Sequence, residues 1–545
     1  MKKYLALLLV LVMALGLFAA CGTTEPAGTT APKTDDPAGT TAAPAGTTAP
    51  QPKDPVTLVW HIRGVGTQTD HAKVEAEFNK LLQSKPGFEH ITVKLMHNVA
   101  SEHRATVERA YTAKEQIDIV CTVNLDPVQM ARDDYFVGLS EYFEDHETLW
   151  NTYPEWLWET QYVDDDYYVV PNYQRGHNPK YWAIRADAAA VEGVDWEGFC
   201  ELVKWENGYA KGTLTQILDK IEEMYLALKA AGKDYYLMSP ISLFNGYNQN
   251  MFWHEYLENL TPSKGGVYAD HNTAKVDSLY MNDEYKTCWQ YACKWKDAGY
   301  FPIDRSTAET GTYSVANGSY FIWCEQALDW DEATIAEYAS TIYKTECLVV
   351  RHPDKIYMEN RWAASGNAVS ATCENPEDAV AFLELLGSED GIDLYNMLVY
   401  GLEGVHYEWV NKDTNQIKTL QYDGSQASGE APYGMLKWCV GNTFNAYLNQ
   451  ACTLTENESA LYVNTNGVPA PWAGMKIDLT DVKTQQDNCT AVTTEWGTRI
   501  FEGQDGVAGF EAAYAQFIAA MKSAGVQDII DTCQEQIDDF IASKK

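Results

Sequence analysis

The chain of 545 residues carries 40 Lys and Arg against 77 Asp and Glu, which gives a formal net charge of −37 at pH 7. This balance argues against binding to nucleic acids and against adhesion to an anionic membrane surface, because both need clustered basic side chains. Hydrophobic residues make up 46% of the chain, with 17 Trp and 34 Tyr, a composition typical of a folded protein. The length of the chain is enough for about two or three domains.

The first 20 residues have the pattern of a secretory signal peptide. Lys2 and Lys3 precede an apolar run that stops at Cys21, and no basic stop-transfer cluster follows it. The sequence Leu-Phe-Ala-Ala-Cys at 17–21 also resembles the lipobox of bacterial lipoproteins, with Phe18 where leucine is usual. The resemblance implies that Cys21 carries lipid and tethers the protein to the extracellular face of the cytoplasmic membrane, in a bacterium of Gram-positive type. The alternative is an ordinary signal peptide that ends at a cysteine.

Residues 21–54 are predicted to be a disordered linker that starts at the lipidated cysteine. The segment is nearly pure Pro, Ala, Gly and Thr, and Pro-Ala-Gly-Thr-Thr recurs at 26–30, 37–41 and 44–48. Because it has no apolar face to bury, it is expected to stay extended and to act as a spacer.

The folded part begins with an alternation of strands and helices. Strand, helix, strand, helix and strand are predicted in this order at 56–62, from Asp70, at 90–96, at about 101–114 and at 117–123. This βαβαβ order predicts a parallel, doubly wound sheet, in which ligands lie beyond the carboxyl ends of the strands. Five residues in the loops at those ends are therefore predicted to face a pocket: Arg63, Gln68, Asp70, Asn124 and Asp126.

The rest of the chain changes character more than once. An aromatic-rich stretch at 145–182 contains a predicted strand, Tyr167–Val170. Residues 185–345 are predicted to be mostly amphipathic helices with few strands, including Leu214–Ala231 and Asp283–Ala298. Strand patterns return at 348–350 and 363–370, and helices follow at 376–387 and near the end of the chain.

Four segments resemble a known family of transport proteins. They are Val-Pro-Asn-Tyr-Gln (170–174), Leu-Tyr-Asn-Met-Leu-Val-Tyr-Gly-Leu-Glu-Gly-Val-His-Tyr-Glu (394–408), Gly-Asn-Thr-Phe (441–444) and the terminal segment 524–540. They are similar to extracellular solute-binding lipoproteins of ABC importers, family 1 type, of the LipO-like branch. The likeness runs from about residue 56 to the end and is loosest at 190–345.

The resemblance implies an α/β fold of the two-lobed, type II periplasmic-binding clamshell, with a helix-rich second lobe. The first lobe is expected to comprise 55–171 plus about 348–440, and the second 172–347 plus about 441–545. It implies a monomer that delivers a solute to ABC permease subunits, binds no cofactor and touches the membrane only through its lipid. Oligosaccharides are the commonest solutes of this family, and a peptide remains an alternative.

A sugar site needs flat aromatic faces and fixed polar groups. Asn172, Tyr173 and Gln174 lie at the expected crossing between lobes, and Trp323, Trp362 and Tyr407 supply further aromatic rings. An aromatic at any one of the latter positions is more often a core residue. Glu403 and Arg361 are predicted to pair with each other or to contact ligand, and His406 to be a hydrogen-bonded structural residue.

The cysteines and histidines give no metal pattern. Eleven cysteines beyond Cys21 are spread singly, without Cys-x-x-Cys or zinc-like histidine spacing, which favours buried free thiols over disulfides.

Two other classes of function compete with a binding protein. A secreted glycoside hydrolase would use two carboxylates across a cleft, and 77 Asp and Glu residues allow many such pairs. A surface glycan-binding protein without a transporter is the second rival. Against an enzyme, the chain has no Gly-x-Ser-x-Gly, no His-Glu-x-x-His and no phosphate loop.

Overall fold

The architecture is that of a computed structural model. The structure describes residues 53–177, 180–239, 243–244, 257–261, 266–301, 318–326, 331–351, 355–358, 365–420, 431–449 and 454–544. The predicted signal peptide, Cys21 and nearly all of the predicted linker lie outside these residues.

Most strands are short. In chain order they are β1 Val56–Gly64, β2 Ile91–Val99, β3 Ile119–Cys121, β4 Tyr162–Val163, β5 Asp166–Tyr167, β6 Val170–Pro171, β7 Lys180–Arg185, β8 Trp205–Glu206, β9 Tyr209–Ala210, β10 Leu257–Asn259, β11 Val267–Asp270, β12 Val276–Ser278, β13 Ile322–Gln326, β14 Cys347–Arg351, β15 Gly366–Val369, β16 Tyr407–Asn411, β17 Gln416–Thr419 and β18 Leu448–Asn449.

The helices differ widely in length. In chain order they are α1 His71–Leu82, α2 His103–Ala113, α3 Pro127–Arg132, α4 Glu147–Thr152, α5 Glu155–Glu159, α6 Ala186–Ala189, α7 Trp196–Val203, α8 Leu214–Ala230, α9 Asp283–Asp297, α10 Glu332–Tyr343, α11 Pro376–Gly387, α12 Ile392–Tyr400, α13 Glu456–Asn466, α14 Lys483–Phe501, α15 Gly506–Ser523 and α16 Val526–Ser543. Short 3₁₀ turns occur at Ser140–Tyr142, Leu279–Met281, Glu389–Gly391, Lys437–Cys439, Thr443–Asn445 and Thr480–Val482.

The amino-terminal sheet confirms the predicted βαβαβ unit. Its strand order is β2-β1-β3-β15-β6, and β1 pairs in parallel with both β2 and β3. On α1, Val74, Phe78 and Leu82 recur every four residues and are fully buried, which is why this segment packs as a helix. The strand β15, from much later in the chain, adds antiparallel to β3 and carries β6 on its other edge. The sheet is therefore mixed, and only its βαβαβ part is parallel.

A second sheet has the antiparallel order β13-β7-β14. Smaller sheets follow in the same part of the chain, including β10-β11-β12 and the pair β8-β9. The prediction of few strands in 185–345 is therefore wrong. The strands of this range, β8 to β13, have two to five residues each, too short for the alternation of apolar and polar residues to reveal them.

Two large hydrophobic cores hold most of the buried apolar residues that the structure describes. The first core surrounds the amino-terminal sheet and includes Trp60, Phe382 and Tyr395. The second core surrounds α8, α9 and the carboxy-terminal helices and includes Trp289 and Phe517. The chain passes between them after β6, before β15 and again between Ala446 and Ala470. The predicted lobe boundaries stay a prediction, although β14 pairs within the second sheet and Ala446 packs in the first core.

Within the described ranges, no helix has the length and apolar character that a membrane span requires.

Candidate functional site

The carboxyl ends of β1 and β3 bring Arg63 and Asn124 together, as their positions in the sequence predicted. Arg63 Nε donates to Asn124 Oδ1 at 3.1 Å. Asn124 has a left-handed backbone, with φ of 68°, which asparagine tolerates better than most residues. The Arg63 guanidinium also lies over the ring of Trp438, 4.8 Å from its centroid. The half-buried Trp438 and Arg63 together form a flat, cationic surface at the sheet edge.

An amide cluster lies beside this surface and consists of Asn172, Gln174, Ser365, Asn367 and the backbone carbonyl of Trp438. Asn172 Nδ2 donates to Ser365 Oγ and to the Trp438 carbonyl, both at 3.3 Å. Gln174 Nε2 donates to Ser365 Oγ at 3.0 Å, and Asn367 Nδ2 donates to Asn172 Oδ1 at 3.0 Å. Asn172 and Asn367 are each 2% exposed. Buried amides need such partners, so this cluster fixes the crossing after β6 against the crossing before β15.

A glycine lets the two crossings approach so closely. A Cβ on Gly366 would lie 2.5 Å from the Val170 carbonyl oxygen and 2.3 Å from a methyl group of Val169. Any larger residue would force β15 away from β6 and would pull Ser365 out of the amide cluster.

Tyr173 lies at the same crossing and contacts a third segment. Its backbone N–H donates to Gly441 O at 3.0 Å, and its carbonyl accepts from Thr443 N at 2.8 Å. Its ring packs against Phe444 with centroids 4.7 Å apart, and burial raises the pKa of its hydroxyl. Asn464 on α13 then accepts from Gly176 N at 2.7 Å and donates to Gln174 O at 3.1 Å. All three crossings are thus bonded to one another near Gln174.

Gln68 and Asp70 are engaged in structural contacts. Gln68 Nε2 donates to Ala431 O at 3.2 Å, and its Oε1 accepts from Gly434 N at 2.9 Å. Asp70 Oδ2 is 3.1 Å from His406 Nε2. His406 Nδ1 accepts from Leu402 N at 2.9 Å, so the prediction of a hydrogen-bonded structural histidine is confirmed. Burial lowers the pKa of His406, and the Asp70 hydrogen bond only partly opposes that effect.

Three other residues predicted to contact ligand, Asp126, Glu403 and Tyr407, have structural partners away from the Arg63 surface. Asp126 caps α3 by accepting from Gln129 N at 3.2 Å. Glu403 accepts from Lys412 Nζ at 3.0 Å, and this hydrogen bond lowers the pKa of its carboxyl. Tyr407 is buried with Trp409 and Tyr447, and burial raises the pKa of its hydroxyl.

Trp323 is 3% exposed and packs on Tyr343 in a small core beside β7. Arg361 and Trp362 lie outside the described residues. The structure therefore brings Arg63, Asn124, Asn172 and Gln174 into one neighbourhood with Tyr173 adjoining, and places the remaining described candidates elsewhere. Whether any of them contacts ligand stays a prediction.

Sequence reasoning missed Trp438, Ser365, Asn367 and Asn464. Trp438 stands in a segment without clear periodicity, three residues before the Gly441 of the Gly-Asn-Thr-Phe motif. That short distance in the sequence is the one signal that could have pointed to Trp438. No local pattern shows which strand end a loop from a distant part of the chain will cover.

The described residues contain no group of three or more His, Cys, Asp or Glu side chains arranged to hold a metal ion.

Comparison with solved structures decides the fold. The N-glycan transport solute binding protein (NgtS) from Streptococcus pneumoniae matches with a TM-score of 0.68 over 90% of this chain and 100% of that chain, at 17% identity. A human-milk-oligosaccharide (HMO) binding, ABC-transporter associated solute binding protein from Bifidobacterium longum infantis matches with a TM-score of 0.58 over 91% and 100%, at 15% identity. The fold is that of a two-lobed ABC-transporter solute-binding protein. The predicted α/β clamshell is confirmed.

Sequence comparison agrees with the solute-binding fold. A carbohydrate ABC transporter substrate-binding protein from Streptococcus pneumoniae serotype 4 is 23% identical over 284 residues, which are 51% of this chain. The matched segment spans 54% of that relative, so the chain matches about half of its length. Residues 471–542 match a domain of unknown function, DUF3502. They include most of α14 to α16.

Proposed function

We propose that this protein captures an oligosaccharide outside the cell and delivers it to an ABC importer by closure of its two lobes. The observation that carries the proposal is the surface formed by Trp438 and Arg63 beside the amide cluster. An aromatic face suits the C–H surface of a sugar ring, and fixed amide, hydroxyl and guanidinium groups suit its hydroxyls. The surface lies at the carboxyl edge of a parallel strand pair, where ligands of such sheets are found.

The relatives support the solute class. NgtS has been solved in complex with Man5GlcNAc, and the structural likeness to this chain extends over 90% of its residues, with a TM-score of 0.62. The sequence relative is described as a carbohydrate ABC transporter substrate-binding protein. We infer an oligosaccharide for this chain as well, and keep a peptide as the alternative solute.

The proposal excludes covalent chemistry. A glycoside hydrolase needs two carboxylates about 5 to 10 Å apart across the glycosidic bond. Three carboxylates among the predicted site residues have other partners: Asp70 binds His406, Asp126 caps a helix and Glu403 binds Lys412. Among the described residues, the side chains that contact the ring or the carbonyl of Trp438 include amides, a hydroxyl and a guanidinium, which bind sugars but do not protonate a leaving group. These contacts favour a binding protein over a hydrolase.

Closure would use the bonded crossings as a pivot. Ligand is expected to bind one lobe first and then to favour a form in which both lobes contact it. The permease would recognise that form. The described contacts at Gln174 and Asn464 join the crossings themselves, so they can persist while the lobes rotate.

Membrane attachment is the remaining part of the proposal. We infer that Cys21 is lipidated after removal of residues 1–20 and that residues up to 54 act as a flexible spacer. Replacing Cys21 by Ala should release the protein into the medium. A protein that stays with the membrane fraction after this change would disprove the lipid anchor.

The experiment is a titration of the full chain with a panel of solutes, followed by thermal unfolding and product analysis. The panel holds Man5GlcNAc, human milk oligosaccharides, short peptides, polyamines and divalent metal ions. A solute that binds only the folded state raises the unfolding midpoint as its concentration exceeds the dissociation constant. A shift with a glycan that stays intact supports the proposal. If only peptides raise the unfolding midpoint, the solute is a peptide and not an oligosaccharide. If the glycan is consumed, the protein is an enzyme.

Small-angle scattering tests the closure step separately. The radius of gyration should fall at saturating glycan. If the radius of gyration does not change at saturating glycan, the solute assignment stands but closure of the two lobes is ruled out.

A further inference from the structure

Two cysteines from distant parts of the chain meet beneath Trp438. Cys121 ends β3, and Cys439 ends the 3₁₀ turn that carries Trp438. Both side chains are completely buried. Cys121 Sγ donates to Cys439 O at 3.6 Å across a sequence separation of 318 residues. Each thiol also shifts the pKa of the other, so the two side chains are neighbours.

The surroundings make one of the two thiols the better nucleophile. Burial raises the pKa of Cys121, but the Cys439 thiol, the backbone N–H groups of Val123 and Arg63 and the Arg63 charge outweigh it, so the net pKa is lowered. Burial raises the pKa of Cys439 well above its usual range. Because the thiolate is the attacking species in disulfide exchange, Cys121 is placed to react first.

We propose that Cys121 and Cys439 are a redox-active pair that forms a disulfide, which staples the Trp438 turn to the end of β3. The oxidant is a low-molecular-weight disulfide. The Cys121 thiolate attacks one of its sulfur atoms and expels the other half as a thiolate, which leaves a mixed disulfide on Cys121. The Cys439 thiolate then attacks the Cys121 sulfur and expels the second half. The protein loses two electrons and two protons, and the oxidant becomes two thiols.

The position of the pair gives the bond a consequence. A cross-link between residues so far apart in the sequence restricts the unfolded chain strongly, and the stabilisation is expected to be large. Cys439 directly follows Trp438, so the bond would also hold the aromatic face against Arg63. Burial of both thiols means that oxidation requires local opening or takes place while the chain folds. It also means that the finished bond is shielded from reductants.

The test uses the full chain, refolded and also incubated in its native state with oxidised glutathione or with a reductant. Remaining thiols are alkylated, and the peptides are mapped by mass spectrometry. We expect the oxidised protein to contain a peptide from around Cys121 linked to one from around Cys439, with both thiols protected from alkylation. The unfolding midpoint of the oxidised protein should exceed that of the reduced protein.

Matched variants separate this bond from other cysteine chemistry. Cys121→Ala and Cys439→Ala should each abolish the link and the difference in midpoint between oxidised and reduced protein. Cys373→Ala removes a buried thiol that neighbours Asp118 and leaves the Cys121–Cys439 pair in place, so it should retain both effects. If oxidation joins either cysteine to a different partner, or joins neither under both treatments, the proposal is wrong. The mapping needs no glycan, so a failure of glycan binding would not affect it.

Discussion

Among the described residues, two of the contacts between the region of the first core and the region of the second core differ in chemistry. At the crossings, neutral amides of Asn172, Gln174 and Asn464 are bonded to backbone and hydroxyl groups. The second contact, called the charged contact below, joins residues 160–164 and Arg132 to residues 476–478. There Arg132 bonds Asp164 at 3.0 Å and approaches Asp478 at 3.8 Å, and Lys476 Nζ donates to Thr160 O.

The amide contacts at the crossings are suited to act as a pivot, whereas the exposed ion pair is suited to open. Buried amides that lose their partners cost about 1 to 3 kcal/mol each, so the crossings are expected to stay bonded in every state of the lobes. Asp164 and Asp478 are more than half exposed, and ion pairs of that kind contribute about 0 to 1 kcal/mol. The ion pair of Arg132 with Asp478 can therefore form and break at little cost as the lobes move. The comparison leads to four predictions.

The largest effect is expected from Asn367→Ala, which removes the centre of the amide cluster. Asn367 Oδ1 accepts from Trp60 Nε1 at 3.0 Å, and its amide group donates to Asn172. Without it, three buried groups lose a partner, namely Trp60 Nε1, Asn172 Oδ1 and the Cys439 carbonyl. The free energy of unfolding should then fall by about 3 kcal/mol. Denaturant unfolding measures this change. Asn457→Ala, which loses one hydrogen bond of 3.4 Å to Phe444 O, is the control and should lose under about 1 kcal/mol. If both variants lose the same unfolding free energy, the amide cluster is no more important for stability than a peripheral amide, and the prediction is wrong.

Trp438→Ala should act on ligand binding more than on stability. Loss of the aromatic face is expected to weaken binding of the glycan found in the panel by at least about tenfold, or about 1.4 kcal/mol. Trp438→Phe, which keeps a flat ring, should retain part of the affinity. Calorimetric titration measures both. Trp409→Ala, in the aromatic group around Tyr407, is the control and should leave affinity unchanged. If Trp438→Ala binds as tightly as the parent, the proposed surface is not the ligand site.

Lys476 makes the charged contact sensitive to alkaline pH. Burial lowers the pKa of Lys476 from 10.5 to about 8. Between these two values the folded chain releases a proton that the unfolded chain still holds, so this residue adds stability as pH rises through that window. The gain cannot exceed about 3 kcal/mol. Buried tyrosines contribute with the opposite sign, so the measurement is the difference between the parent and Lys476→Met. That difference should change from pH 8 to 10 and stay constant from pH 6 to 7. A constant difference throughout would mean that Lys476 is solvated.

The smallest effect is expected from Asp478→Asn. Its exposed pair with Arg132 contributes less than about 1 kcal/mol, so glycan affinity should change by no more than about threefold and only at low salt. The control is Glu511→Gln, whose pair with Lys286 lies within the region of the second core. It should not change affinity at any salt concentration. A larger effect of Asp478→Asn that persists at high salt would show that this contact is part of the pivot.

Local patterns predicted much of the first lobe. The strands at 56–62 and 90–96, the helix that begins after Asp70 and the helix at 376–387 are confirmed with only small shifts of their bounds. Each has a periodicity that a short window of sequence contains. The placement of Arg63 and Asn124 at one edge of the sheet followed from the same reasoning, because adjacent parallel strands end at the same edge. Their hydrogen bond is seen only in the structure.

Local patterns do not reveal partners that are distant in the sequence. Trp323 was named as one aromatic ring for a sugar site, at a position where a core residue is the commoner case, and the structure buries it in a core. Glu403 bonds Lys412, nine residues away. Arg361 lies outside the described residues, so the pairing of Glu403 with Arg361 and any ligand contact of Glu403 or Trp323 stay predictions. The short strands between β7 and β14 gave no readable period.

The sequence by itself determined the order of elements and the edge at which a ligand is expected, because both depend on residues close in the chain. Only the tertiary structure decided which distant segments cover that edge. Asn172 meets Ser365 across 193 residues, and Cys121 meets Cys439 across 318. Such contacts depend on the addition of β15 and β6 to the first sheet, and on the packing of the Trp438 turn against it. No single segment encodes these arrangements, because burial of all the segments together selects them.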